Sequence, residues 1–196
     1  MTFRWGDTAT SGSDGLSRSS WWGTRVSRNQ EKPADQTEPG LLLKFDPGTG
    51  KPSALATDTL NGKHVGLFFA AEWCIYCKGF LPFLLKVYRI LQPKKIFEVV
   101  YVPCDRDPET FQRFASSMPW PTLPLENYGY LIKKYGINVL PTVVVVAPDD
   151  TIIHKNAVGM MRAPGGEENF ETFLRRWKPT NGDGTSSNDR FFRLFK

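Results

Sequence analysis

The sequence predicts an α/β fold with a central mixed β-sheet flanked by helices on both faces. Three apolar runs, at residues 64–70, 97–103 and 140–148, have strand length and no polar alternation, the pattern of strands covered on both sides. Helical patterns separate them, which gives the strand–helix–strand rhythm of a layered α/β domain. The chain has 196 residues, 40% hydrophobic and 23% charged, so one domain with tails is expected. Residues 1–38 read as a disordered arm, 39–178 as the folded domain and 179–196 as a polar tail.

Each element follows from local chemistry. Residues 41–45 (LLLKF) form a short strand candidate, and the DPGTGKP that follows is dense in turn residues. The run HVGLFFA (64–70) is a buried strand. Residues 72–91 then form a helix with Phe80, Leu81, Leu84, Leu85, Tyr88 and Leu91 on its apolar face, and Pro93 ends it. The run FEVVYVP (97–103) is the next strand. Residues 107–118 open with Asp107 and Pro108 and read as a helix. Prolines stiffen the loop 118–126. A short helix over 128–136 closes at Gly136, and 140–148 is the third buried strand. Residues 151–156 alternate as an edge strand in a hairpin, and 167–177 form the closing helix. The order β, β, α, β, α, short α, β, β, α traces the outline of the thioredoxin fold.

Charge and composition exclude several classes. The net charge is +5, from 25 basic and 20 acidic side chains, and it is spread without a strong basic stripe. Nucleic acid is therefore not an expected partner. No run reaches the roughly 18 apolar residues of a transmembrane helix, and no apolar stretch near the start marks a secretory signal. Three cysteines do not make a disulfide framework. The arm carries Trp5, Trp21 and Trp22, which suit packing on the domain or a partner contact.

The chemistry concentrates in Trp73-Cys74-Ile75-Tyr76-Cys77, where a strand gives way to a long helix. Two cysteines three apart lie within one turn and can close a small disulfide ring. The first sulfur meets unpaired N–H groups and the positive end of the helix dipole, which favours a thiolate. Cys74 is thus the expected nucleophile, with Cys77 resolving the mixed disulfide. A zinc site needs a second ligand pair; Cys104, His64 and His154 do not supply one, so no metal is expected. The second feature is Leu140-Pro141 at the mouth of a central strand. Proline donates no ladder bond there, and a cis Leu140–Pro141 peptide accounts for it.

These segments resemble the tryparedoxin and nucleoredoxin group of the thioredoxin superfamily. The resemblance rests on FFAAEWCIYCKGFLPFL (68–84), FEVVYVPCDRD (97–107), MPWPTLPLE (118–126) and KKYGINVLPTVVVV (133–146). It implies a thiol–disulfide oxidoreductase of the protein-disulfide reductase type. Electrons would pass from a low-molecular-weight dithiol such as trypanothione to peroxiredoxins or other protein disulfides. No bound cofactor is implied. Trp73, Ile75, Tyr76, Leu140 and Pro141 become the substrate-binding set, and an intracellular setting follows, cytoplasmic before mitochondrial.

The chain departs from the group at informative places. Ile75-Tyr76 stands where tryparedoxins carry two prolines. Pro103-Cys104-Asp105-Arg106 stands where they carry a tryptophan and an acid that help bind trypanothione. Arg162 is the nearest match to the arginine that the family offers to the dithiol's carboxylates. Cys104 is a candidate third redox cysteine, and Arg106 and Glu72 are auxiliary candidates. Phe68 occupies the position where thioredoxins bury an aspartate, which leaves Glu72 or water to take the Cys77 proton. Two other readings stand beside the reductase: a disulfide isomerase or oxidase, and a non-enzymatic interaction module with a redox-sensitive switch. The last residues, FFRLFK, suit a small membrane contact or a docking tail.

Overall fold

The computed structural model describes residues 41–178 and 194–195. The expectations for the Trp-bearing arm lie outside these residues. Strand β1 (Leu42–Phe45) turns back into β2 (Pro52–Leu55), and a 3-10 turn spans Thr57–Leu60. Strand β3 (His64–Ala70) feeds helix α1 (Ile75–Leu91), which returns to β4 (Phe97–Pro103). Helices α2 (Pro108–Ala115) and α3 (Gly129–Tyr135) precede β5 (Thr142–Val146) and β6 (Ile152–His154). Helices α4 (Val158–Arg162) and α5 (Gly166–Arg176) complete the order.

The main sheet runs β4-β3-β5-β6. Strands β3 and β4 are parallel, while β5 is antiparallel to both β3 and β6, so the sheet is mixed. Thr122 bridges β1 to β4, bonding Leu43 on one side and pairing with Tyr101 on the other. The seven residues of β3 are all buried, as are the seven of β4. Period-two alternation divides them between two cores. Phe68, Val99, Tyr101, Val143 and Val145 join Phe80, Leu84, Phe111 and Phe170 on one face. Leu67, Phe69, Val100, Val102, Val144 and Val146 join Leu131 and Tyr135 on the other.

Local signals explain the helix ends. Asp107 caps α2 by accepting the Thr110 N–H at 2.9 Å, with Pro108 in the first turn. Gly136 closes α3 with φ of 64°, the left-handed conformation that costs glycine least. Helix α1 begins at Ile75 rather than residue 72, because Cys74 is its cap. Strand β2 and helix α4 are additions to the expected order. The first is mostly exposed and opens with a proline, and the second has only five residues. Neither offers the apolar period that marks longer elements.

The end of the chain also departs from expectation. Leu194 and Phe195 are buried in the second core with Leu131 and Tyr135. The Tyr135 hydroxyl donates to the Leu194 carbonyl at 2.7 Å, and the Tyr130 hydroxyl to the Phe195 carbonyl at 2.7 Å. These two apolar side chains are therefore packed on the domain and not presented to a membrane. Among the described residues, no helix is long and apolar enough to cross a membrane.

Candidate active site

The site is built where three elements meet at one end of the sheet. Strand β3 ends at Ala70, and a tight turn carries the chain into α1. The Cys74 N–H donates to the Ala71 carbonyl at 3.2 Å, which folds the turn. Cys74 then sits at the helix cap in extended conformation, and its sulfur accepts the Cys77 N–H at 3.3 Å. The sulfur thus takes the place of the usual capping oxygen and satisfies one of the helix's free donors.

The two thiols differ in environment. Cys74 retains 6% exposure and Cys77 none. Burial pushes the Cys77 thiol well above its ordinary range, and the hydrogen bond with Cys74 adds to the effect. Cys77 packs in the first core cluster with Phe68 and Phe80. All three cysteines are unbridged.

Around this buried pair the surface is apolar. Trp73, Ile75 and Tyr76 are 52%, 75% and 69% exposed. Strand β5 supplies the neighbouring wall. Phe69 pairs with Thr142 across the sheet, so the chain just before β5 continues alongside the end of β3. There the Leu140–Pro141 peptide is cis, with Pro141 buried, Leu140 half-buried and Val139 exposed.

The segment Cys104-Asp105-Arg106 clamps the turn that leads into the motif. The Cys104 N–H donates to the Ala70 carbonyl at 2.8 Å. The Glu72 N–H donates to Asp105 Oδ1 at 2.7 Å. The Trp73 indole N–H donates to the Cys104 carbonyl at 3.2 Å, and the Arg106 guanidinium lies 5.1 Å from the centre of the Trp73 ring. This segment therefore holds Trp73 in place. Burial pushes the Cys104 thiol up to about 11.

Other expected residues fall further out. Glu72 accepts Lys78 at 2.8 Å and faces Arg113 at 3.5 Å, and the Lys78 bond holds its carboxyl below the usual range. Lys78, next to Cys77, is thus paired with that acid. Arg162 stacks on Phe83 at 5.7 Å along α1, beside Gly79. Trp120 is fully buried against Phe68 and Tyr88.

Sequence reasoning missed Asp105 and Tyr101. The Tyr101 hydroxyl donates a short hydrogen bond to Asp105 Oδ2, and its oxygen lies 3.3 Å from the Ala70 carbonyl oxygen. Burial raises the Asp105 carboxyl above its ordinary range and the Tyr101 hydroxyl well above its own. A groove of about 430 Å³ opens beside this clamp, lined by Cys104, Asp105, Arg106, Glu126, Asn127 and Ile132. Among the described residues, no three His, Cys, Asp or Glu side chains gather as metal ligands.

Comparison with known proteins places this architecture. Residues 61–152 match the family model described as Thioredoxin-like. The class is therefore that of the thioredoxin-like proteins. Tryparedoxin from Trypanosoma brucei brucei is 33% identical over 55% of this chain and 80% of its own length. Nucleoredoxin from Mus musculus is 32% identical over 62% of this chain and 28% of its own length. A solved tryparedoxin II in complex with glutathionylspermidine superposes with a TM-score of 0.56 at 31% identity, covering 63% of this chain and 85% of that one. The chain belongs to the tryparedoxin and nucleoredoxin group. It spans less than a third of the mouse nucleoredoxin's length.

Proposed function

We propose that this chain is a thiol–disulfide oxidoreductase of the protein-disulfide reductase type. It takes electrons from a low-molecular-weight dithiol and delivers them to protein disulfides such as those of peroxiredoxins. The observation that carries the reading is the asymmetric pair: Cys74 at the helix cap with its sulfur on the Cys77 N–H, and Cys77 wholly buried behind it.

The chemistry follows from that asymmetry. Cys74, whose sulfur faces the Cys77 N–H at the start of α1, attacks a substrate disulfide and forms a mixed disulfide. Cys77 then attacks Cys74, closes the Cys74–Cys77 disulfide and releases the reduced substrate. Trp73, Ile75 and Tyr76 on one side and Leu140 and Pro141 on the other form the apolar rim that receives a protein substrate. The reducing dithiol returns the pair to its starting state. No resident cofactor or metal enters this cycle.

The groove beside the Cys104–Arg106 segment supports a small dithiol as donor, because Arg106 suits a carboxylate while Glu126 suits an amine. A tryparedoxin was solved with glutathionylspermidine bound, which supports a donor of that chemistry. An intracellular, cytoplasmic setting is part of the same proposal.

The test is reduction of the Cys74–Cys77 disulfide by trypanothione, glutathione and dithiothreitol in parallel, followed by tryptophan fluorescence with Cys74→Ser as control. Fast reduction selective for trypanothione supports the reading. Reduction by dithiothreitol alone assigns a different donor. Absence of any redox-linked change favours a non-enzymatic interaction module.

A further inference from the structure

Strand β5 opens with a polar residue that its apolar surroundings do not favour. Its five residues are Thr142 and four valines, and all are buried. Thr142 itself is 3% exposed. Valine has nearly the same shape and would continue the apolar run, whereas a buried hydroxyl costs stability unless it finds a hydrogen-bond partner. The Thr142 hydroxyl donates to the Val139 carbonyl at 2.7 Å. The bond therefore runs out of the strand, onto a residue that is 61% exposed and lies outside β5.

That bond spans one side of the rim around the cysteine pair. It closes the chain from Val139 to Thr142 into a small ring, with Leu140 and Pro141 inside it. Pro141 has no N–H with which to hold the segment. Thr142 is anchored, because it pairs with Phe69, one residue before β3 ends at Ala70, and β3 leads into the turn that carries Cys74. The hydroxyl thus ties the Val139–Leu140 segment to the strand that delivers the cysteine motif.

We propose that Thr142 is a positioning residue for protein substrates: its hydroxyl holds the Val139–Leu140 ledge in place beside the cysteine motif. The inference rests on the proposed role of Leu140 and Pro141 in receiving the substrate. A ledge that is already ordered spares the complex the cost of ordering it on binding. The exchange between sulfurs is left to Cys74 and Cys77, so the hydroxyl acts on docking and not on the chemistry. A small disulfide needs only access to Cys74 and makes no use of the ledge. The two kinds of substrate therefore separate positioning from general damage to the site.

The experiment uses the full chain, fully reduced, mixed with excess insulin as the protein disulfide or with excess 2-hydroxyethyl disulfide as the small one. Samples are quenched in acid and alkylated, and mass spectrometry follows the loss of two free thiols as Cys74 and Cys77 pair. Thr142→Val removes the hydroxyl and keeps the shape. It is expected to lower the rate constant for insulin by about threefold to tenfold, the worth of one hydrogen bond, through a higher half-saturating concentration with the limiting rate retained. Its reaction with 2-hydroxyethyl disulfide should stay within about twofold of the parent, and Thr142→Ser, which keeps the hydroxyl, should match the parent with both. If the valine variant fails to fold, Thr142→Ala against Thr142→Ser makes the same comparison, since those two differ by the hydroxyl alone. Unchanged reaction with insulin, equal slowing with both disulfides, or a serine variant as slow as the one lacking the hydroxyl overturns the proposal. A parent that reacts with the small disulfide and not with insulin overturns the role of the ledge and the proposal with it. A parent that reacts with neither overturns the redox reading itself.

Discussion

At the scale of single residues, the site separates two sulfurs by burial more than by distance along the chain. Cys77 sits behind Cys74, and its dry surroundings favour the thiol form. Cys77→Ser is expected to retain attack on a disulfide and to stop there. Mass spectrometry after exposure to a disulfide should show a persistent adduct on Cys74, whereas the parent protein resolves it. Asp105 provides a pH-dependent prediction. Because burial raises its carboxyl, the folded state binds that proton more tightly than the unfolded state. Its stabilising contribution is complete below the ordinary aspartate range and is lost as pH rises through the higher folded value. Urea midpoints of the parent relative to Asp105→Asn should therefore fall as pH rises above about 4 and then level off.

At the scale of elements, close backbone approach decides what can change. A side chain placed on Gly166 would put its Cβ 2.5 Å from the Met161 carbonyl oxygen, where α4 meets α5. Backbone cannot yield as a side chain does. Gly166→Ala should cost about 1–3 kcal/mol, read from urea denaturation. The same scale shows what the sequence could reveal. Strands β3, β4 and β5 were legible because each is buried on both faces and reads as an unbroken apolar run. The Trp73–Cys77 motif was legible because its spacing and its place after a strand carry the chemistry. Strand β2 was not, since pairing with β1 forms it and no apolar pattern marks it. The Asp105–Tyr101 pair was also hidden. It depends on the turn into α1 lying beside the end of β4, a long-range arrangement that no local pattern encodes.

At the scale of the whole molecule, the sheet divides the interior in two, and each half is closed differently. Helices α1 and α5 cover the first half, whereas α3 and the Leu194–Phe195 segment cover the second. Both tyrosine hydroxyls that bond this segment belong to α3, so the packing and the hydrogen bonds act together. The double substitution Leu194→Ala with Phe195→Ala should destabilise the domain by about 2–5 kcal/mol. A hydrophobic dye should then bind the uncovered face near Leu131 and Tyr135.

Strand β3 lies between two hydrogen-bonded partners along its whole useful length, with both faces under side chains. Its backbone amides have no local route to solvent. In deuterated water they should exchange only when the entire domain opens, so their rate measures the global unfolding equilibrium. The isotope clock in residues 64–70 would therefore register the energetic difference between the dithiol and disulfide states, even though the bond that distinguishes them forms just beyond the strand's end.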